Sequence, residues 1–197
     1  MKRALLVFLA FLLVFSLAAC GENKKKEKSP HLSDYSSSAA KYFPLAVKNT
    51  WKYRVEYLGS AGEMDVTIVS SDGEWFEDNR GGRLKIDRHG IRDDERYLLM
   101  FPLQREEWTA ILRNKSREIR KTVGVDESVT VPAGTFEGAI KVHTYVALPK
   151  KRALHSYHYF VANVGIVKIE TFLEDINEAK KIRQTVTELV SYTLNKE

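Results

Sequence analysis

The sequence has a single cysteine, Cys20, among its 197 residues. A lone cysteine forms no internal disulfide and leaves few ligands for a structural zinc site. The sequence also lacks a Gly-x-Ser-x-Gly nucleophile elbow and a glycine loop that cradles phosphate. We therefore expect a protein without enzymatic activity, metal or cofactor.

Long apolar runs are scarce as well. The longest, residues 4–19, follows Lys2 and Arg3 and ends at Cys20. It is shorter than the roughly 20 apolar residues that a membrane-spanning helix needs. A positive start, a short apolar core and small residues before a break are typical of a signal peptide, which we predict over residues 1–19. A plain secretory peptide and an uncleaved anchor are the alternatives.

The end of this run, Leu17-Ala18-Ala19-Cys20, resembles the lipobox of bacterial lipoproteins. The resemblance implies diacylglycerol on the Cys20 thiol and cleavage between Ala19 and Cys20. Two acyl chains hold a protein on a membrane far more durably than one. We therefore expect an envelope protein that is lipid-anchored on the non-cytoplasmic side, while the choice between inner and outer membrane stays open.

The next segment, residues 20–41, is predicted to be the lipidated cysteine followed by a flexible tether. It is rich in lysine and serine, which bury little apolar surface. Its lysines either keep the tether solvated as a simple spacer or contact anionic lipid head groups. From Lys41 onward the chain has 25 basic and 23 acidic residues. This near-neutral balance removes the main argument for a nucleic-acid partner.

Residues 42–197 are predicted to form a single β domain. Apolar and polar residues alternate repeatedly, as in Trp51, Tyr53, Val55 and Tyr57. This pattern indicates a mainly β fold with an antiparallel curved sheet, closed into an open or half barrel or packed on a second sheet. One short helix is possible, at residues 106–112 or 34–41, although the first segment also fits a strand.

Two further patterns mark turns and a repeat. Asp87-Arg88-His89-Gly90 predicts a hairpin turn, and Pro132-Ala133-Gly134 predicts a corner with Gly134 at an unusual φ. Phe-Pro-Leu occurs at residues 43–45 and again at 101–103, each shortly before a tryptophan. The two copies either begin equivalent halves of the sheet or match by chance.

Three stretches resemble a family of uncharacterised bacterial lipoproteins related to the domain-of-unknown-function 3108-like group. They lie at residues 42–53, 129–142 and 159–168, and Val-Pro-Ala-Gly-Thr-Phe in the second is the most specific string. The third has Ala162-Asn163 where the family usually has Pro-Gly. The family is similar to the open β-barrel of periplasmic lipoprotein carriers, which implies a half-barrel able to hold acyl chains. No catalytic residues come with the resemblance.

Aromatic residues are the positive signal for a binding site. On strands, alternate residues share a face, so Trp51, Tyr53 and Tyr57 form one stripe and His155, Tyr157 and Tyr159 another. Such stripes either pack in a core or line an apolar groove. We therefore predict an apolar small molecule or an envelope protein as partner, with ligand contacts at Trp51, Tyr53, Tyr57, Tyr157 and Tyr159. A scaffold with a filled core is the alternative.

The histidines do not predict a metal site. His155 and His158 are three residues apart on a predicted strand, which places them on opposite faces. His143 joins His155 only if their strands pair in the right register. Adjacent acids such as Asp93-Asp94 are typical of a solvated face.

Overall fold

The structure is a computed structural model that describes residues 39–103 and 107–195. The predicted signal peptide, the lipidation site Cys20 and nearly all of the tether lie outside the described residues. Within the described ranges, no helix has the length and apolar character needed to cross a membrane.

Twelve strands account for most of the described chain. Their bounds are β1 (Thr50–Tyr57), β2 (Ser60–Ser71), β3 (Phe76–Asp78), β4 (Arg83–Asp87), β5 (Gly90–Arg92), β6 (Tyr97–Met100), β7 (Glu107–Ile111), β8 (Arg117–Val131), β9 (Gly134–Leu148), β10 (Arg152–Val161), β11 (Gly165–Asp175) and β12 (Lys180–Thr193). A single 3-10 turn, Ala39–Tyr42, is the helical element in the described residues. The segment that also fitted a helix, residues 106–112, contains strand β7 instead.

The strands form one antiparallel sheet in the order β6-β5-β4-β3-β2-β1-β12-β11-β10-β9-β8-β7. Consecutive strands pair with each other from β1 to β6 and from β7 to β12, and β1 pairs with β12. The sheet thus curls into a nearly closed barrel whose two edges, β6 and β7, leave one unsealed seam. The predicted mainly β, antiparallel and incompletely closed fold is confirmed.

Side chains bridge the seam where backbone pairing ends. The Trp108 indole of β7 donates a hydrogen bond to the Tyr97 carbonyl of β6, at 3.0 Å. Arg113 lies 3.3 Å from Glu95 in an ion pair across the same gap. The two edges are therefore held near each other by specific contacts.

The inner face is identified by contacts between strands that are distant in the sheet. Ile91 of β5 and Leu99 of β6 belong to one buried cluster with Ile140, Val142 and Phe160 of β9 and β10. These strands are far apart in sheet order, so their side chains meet only across the barrel interior. Opposed residues of a strand pair share a face, and the register extends this assignment to the rest of the sheet.

The chain's own N-terminal segment fills much of this interior. Tyr42 and Phe43 are buried in the same cluster, and the Tyr42 ring lies 5.6 Å from that of Phe101. Ala39, three residues inside the predicted tether, is already buried at 6% exposure. The two Phe-Pro-Leu strings stand shortly before β1 and β7, the first strands of two six-stranded halves, and both contribute to the core.

Strands β8 and β9 continue past the end of β10 as a hairpin. Its tip is Pro132-Ala133, followed by Gly134 at a φ of +133°, as the predicted corner requires. The Ala133 amide donates to the Leu189 carbonyl of β12 at 2.9 Å. The hairpin thus folds back over β12 and adds Val129 and Val131 to a second apolar cluster. The Val-Pro-Ala-Gly string therefore has a structural role at this tip.

Candidate functional site

The five aromatic residues predicted to contact a ligand divide between the two faces of the sheet. Tyr157 opposes Glu170, Glu170 opposes Val186, and Val186 opposes Glu56. Glu56 and Tyr57 are consecutive in β1 and point to opposite faces. Tyr157 and Tyr159 therefore lie on the outer face, whereas Trp51, Tyr53 and Tyr57 lie on the inner face. The two stripes lie on opposite faces, yet Trp51, Tyr53 and Tyr159 belong to one buried apolar cluster and Tyr157 packs against it, so these four residues contribute to a core rather than to a common groove.

The inner stripe is largely committed to the core. Trp51 is 1% exposed, stacks on Phe43 at 5.2 Å between ring centroids, and donates its indole N–H to the Val164 carbonyl at 2.6 Å. The Tyr53 hydroxyl donates to the Ile166 carbonyl at 2.9 Å. Burial raises the pKa of Tyr53 above its usual value. Tyr57 differs, because it is exposed near the end of β1.

The outer stripe belongs to a larger surface that joins β9, β10 and β11. We name it the histidine–aromatic surface, and it consists of Lys141, His143, Tyr145, His155, Tyr157, Tyr159, Phe172 and Glu174. The register places these residues on one face, with Tyr145 opposite His155 and His143 opposite Tyr157. Six of them are half-buried, whereas His155 and Tyr159 are buried, at 7% and 9% exposure.

A hydrogen-bonded chain runs through this surface. His143 Nε2 lies 2.9 Å from His155 Nδ1, and His155 Nε2 lies 2.7 Å from a Glu174 carboxylate oxygen. Since the carboxylate accepts, His155 donates from Nε2 and, when neutral, accepts at Nδ1 from His143 Nε2. His143 Nδ1 is then an acceptor for a further partner. Burial, followed by the nearby His155 and Lys181, lowers the pKa of His143 to about 4, which keeps it uncharged at neutral pH.

Aromatic packing fixes the rings around this chain. The Tyr157 ring stacks on His143 at 4.8 Å between centroids and meets Phe172 edge-on at 6.0 Å. The Lys141 ammonium lies 5.2 Å from the ring centroids of both Tyr157 and Tyr159, within cation–π range. The surface therefore combines rigid rings, a cation and a hydrogen-bond acceptor.

The histidines form a chain of donors and acceptors without a nucleophile. Among the described residues, neither His143 nor His155 is hydrogen-bonded to a serine, threonine or cysteine. The same ranges contain no group of three or more metal-ligating side chains with the geometry of a metal site. His158 points to the inner face, opposite His155, as the odd spacing predicted.

The link between His143 and His155 was left open by the sequence, although a signal for it exists. The turn at residues 149–151 between β9 and β10 sets the register, because every pair then has residue numbers that sum to the same value. Placing that turn would have put Tyr145 opposite His155 and His143 two residues further along the same face. Glu174 comes from a third strand, and no local signal in the sequence places it there.

The chain thus forms a twelve-stranded antiparallel barrel with an open seam and an outer histidine–aromatic surface. No protein-family model and no curated protein matches it. Its structure is similar to a candidate lipoprotein from Parabacteroides distasonis, with a TM-score of 0.47 and 16% identity, covering 77% of this chain and 98% of that one. It is also similar to a candidate exported protein with a YmcC-like fold from Bacteroides fragilis, with a TM-score of 0.48 and 13% identity, covering 78% and 99%. The family resemblance of the three sequence stretches stays a prediction.

Proposed function

We propose that this protein is a lipid-anchored envelope lipoprotein without enzymatic activity, which acts by binding a partner protein through the histidine–aromatic surface. The anchoring part of the proposal rests on the signal-peptide pattern and the lipobox at Cys20. The binding part rests on two features of the barrel, its packed interior and its outer histidine–aromatic surface.

The filled interior is the observation that carries the choice of partner. An apolar ligand needs a cavity lined by apolar side chains. In the barrel interior, Tyr42, Phe43 and Phe101 fill part of the space that an apolar ligand would need. Trp51 and Tyr53 are hydrogen-bonded within the core. This packing favours a scaffold with a filled core over a carrier of acyl chains. A scaffold acts through its surface, so the partner is expected to bind there.

The outer surface has the composition of a protein interface. Aromatic residues are enriched at the centre of such interfaces, and charged residues lie at the rim. Here Tyr157 and Phe172 lie among Lys141, Lys168 and Glu170. A partner that covers Tyr157 also reaches Nδ1 of His143, an acceptor for which no hydrogen bond is seen among the described residues, so shape and hydrogen bonding act together.

Anchoring is tested by Cys20→Ser followed by cell fractionation. We expect the variant to leave the membrane pellet, because its lipid attachment site is gone. Retention of Cys20→Ser in the pellet at wild-type levels would remove lipid on Cys20 as the anchor.

Partner binding is tested with a photo-crosslinking amino acid placed at Tyr157 in living cells. The matched control position is Val69, which is exposed on another strand. We expect a discrete crosslinked species from position 157 that is weakened by His143→Gln and absent from position 69. Native mass spectrometry of the purified protein provides the opposing outcome. A bound mass that extracts into organic solvent, with no specific crosslink at 157, would reinstate the carrier.

A further inference from the structure

Four turns lie together at one end of the barrel. Consecutive strands of an antiparallel sheet run in opposite directions, so the turns after β1, β7, β9 and β11 are at the same end. Two backbone hydrogen bonds join these segments, from the Ile176 amide to the Lys151 carbonyl at 3.0 Å and from the Leu58 amide to the Gln184 carbonyl at 3.1 Å. We name this end the four-turn tip, which consists of the turns and one strand residue on each side of them, residues 57–60, 111–117, 148–152 and 175–180.

Large apolar side chains are exposed at the four-turn tip. Tyr57 is 57% exposed, Leu58 60%, Ile111 64% and Ile176 50%. Single exposed apolar residues are ordinary on a protein surface, whereas several at one place are typical of an interaction site. These four side chains come from three different turns. The apolar surface therefore belongs to the tip as a whole.

The four-turn tip also has an excess of positive charge. It contains seven basic and two acidic residues. Four of the basic residues are exposed and form no ion pair within the described chain, namely Lys115, Lys150, Lys151 and Lys180. The neighbouring turn 93–96 is acidic, but its acids are paired with Arg83, Arg96 and Arg113. The lysine charges are therefore available to a partner outside the chain.

The opposite end of the barrel has no such excess. Turns 132–133 and 162–164 there have no charged side chain, turn 72–75 has two acids and turn 88–89 has one arginine. Positive charge is thus concentrated at the four-turn tip, which is the arrangement expected of a surface that meets a negatively charged one.

Backbone conformation gives a further sign that the side chains of the tip serve an external contact. Leu58 has a φ of +46°, and Lys150 and Lys151 have φ values of +61° and +52°. Glycine and asparagine suit such positions, and Asn-Gly is the preferred pair of a two-residue hairpin such as Leu58-Gly59. An exposed leucine and two lysines without ion pairs bring no advantage to these turns. Local conflicts of this kind are expected where function outweighs stability.

We propose that the four-turn tip docks on the surface of an anionic lipid bilayer. Leu58, Ile111 and Ile176 insert among the head groups, where their apolar surface leaves water. Lys150, Lys151 and Lys180 lie over the lipid phosphates, and each strengthens binding about fivefold. A partner that matches the charge alone would leave the apolar side chains in water. An anionic bilayer matches both features of the tip.

The path of the chain allows this contact with the membrane that holds the proposed anchor. The Lys41 carbonyl accepts from the Asn163 amide at 2.6 Å, so the described chain starts at the end opposite the tip. The 19 residues 20–38 span at most about 65 Å, whereas the 11 residues of β11 are about 37 Å long. The tip therefore reaches the same membrane, a consequence that rests on the proposed lipid at Cys20. Docking itself depends neither on Cys20 nor on the histidine–aromatic surface.

The test measures binding of the full chain to lipid vesicles by co-sedimentation. Every protein carries Cys20→Ser, so lipid at residue 20 contributes nothing and the result is independent of the anchoring proposal. We expect binding to vesicles of phosphatidylglycerol and phosphatidylcholine that weakens as salt screens the lysines, and much weaker binding to phosphatidylcholine alone. Equal binding to the two kinds of vesicle overturns the proposal, as does binding to neither.

Leu58→Asn and Lys150→Asn separate the apolar from the electrostatic contribution. Both place asparagine at a positive φ, so the fold is retained. We expect Lys150→Asn to weaken binding to the anionic vesicles about fivefold and Leu58→Asn to weaken it about tenfold or more. Lys48→Asn is the matched control, because Lys48 is an exposed lysine at a φ of +73° at the opposite end of the barrel, and its binding stays unchanged. Equal binding by Lys150→Asn and Lys48→Asn contradicts docking through the tip.

A fluorescent label tests insertion directly. The Cys20→Ser chain has no cysteine, so Leu58→Cys provides one position for an environment-sensitive dye. On addition of anionic vesicles, we expect the emission of this dye to shift to the blue and to be shielded from iodide. The same dye at Lys48→Cys keeps its emission in water. A shift at both positions or at neither means that the tip is not the part of the protein that enters the bilayer.

Discussion

Phe43→Ala tests whether the N-terminal segment is part of the barrel core. Phe43 is 5% exposed and its ring lies nearly parallel to that of Trp51, at 7° and 5.2 Å between centroids. Replacing a buried phenylalanine by alanine typically costs about 3–5 kcal/mol. Since domains of this kind are stable by about 5–15 kcal/mol, the loss is a large share of the total. Phe43→Leu keeps part of the apolar volume and isolates the ring–ring interaction, about 0.5–1.5 kcal/mol.

The assay is equilibrium unfolding in urea, followed by tryptophan fluorescence because Phe43 stacks on Trp51. We expect the midpoint to fall with little change in the slope of free energy against urea concentration. Val47→Ala is the matched control, since Val47 lies in the same segment but is 37% exposed, and its effect should stay within about 0.5 kcal/mol. Equal effects of Phe43→Ala and Val47→Ala would mean that the segment does not fill the interior, and the case against an apolar ligand would fail with it.

Three other substitutions test separate parts of the structure. Gly165→Ala should destabilise the protein more than Gly134→Ala. Both glycines have positive φ, but only at Gly165 does an added Cβ meet the Phe43 ring, at 2.8 Å. Comparing the thermal denaturation midpoints of the two variants tests this order. Trp108→Phe should cost about 1 kcal/mol or more by removing the seam hydrogen bond to Tyr97, and faster amide exchange around β6 than in wild type should accompany the loss. Because the folded pKa of His143 is about 4 and the unfolded value about 6.5, the unfolded state takes up its proton first and this contribution to stability is lost as pH falls from 6.5 to 4. His143→Gln should therefore flatten the stability curve over that window, and a curve as steep as wild type would show that His143 titrates normally.

The strands were predictable because the alternation of side chains is local. Trp51 and Tyr53 share a face by spacing alone, and the turn at 87–90 follows from Asp87, which accepts from the amides of His89 and Gly90 in the structure. Closure of the sheet was predictable only in kind. Which two strands form the seam depends on the pairing of β1 with β12, a contact between the two ends of the domain that no local pattern encodes.

The position of residues 39–45 inside the barrel and the contact of the β8–β9 hairpin with β12 were not predictable for a related reason. Residues 39–45 have no strand period. The sequence assigned 39–41 to the tether and 42–45 to the start of the β domain, and only the barrel interior gives these residues their place. The hairpin tip shows its turn in the sequence but not its contact, because the Leu189 carbonyl that receives the Ala133 amide belongs to a distant strand. Spacing alone separated the five aromatic residues into two stripes. That the two stripes lie on opposite faces of the sheet could be seen only from the register of all the strands between them.

Strand β8 is where local sequence and structure disagree most. By alternation, Ile119 and Val123 are expected to face the core and Glu118 and Arg120 the solvent, yet the structure buries Glu118, Arg120 and Thr122 instead. A strand that turns its charged face inward loses hydrophobic stabilisation and pays desolvation for two ions. Such local conflicts are expected at functional sites, where another requirement outweighs stability. Arg120 Nε and Thr122 Oγ1, which have no hydrogen-bond partner among the described residues, are a direct consequence of this inversion.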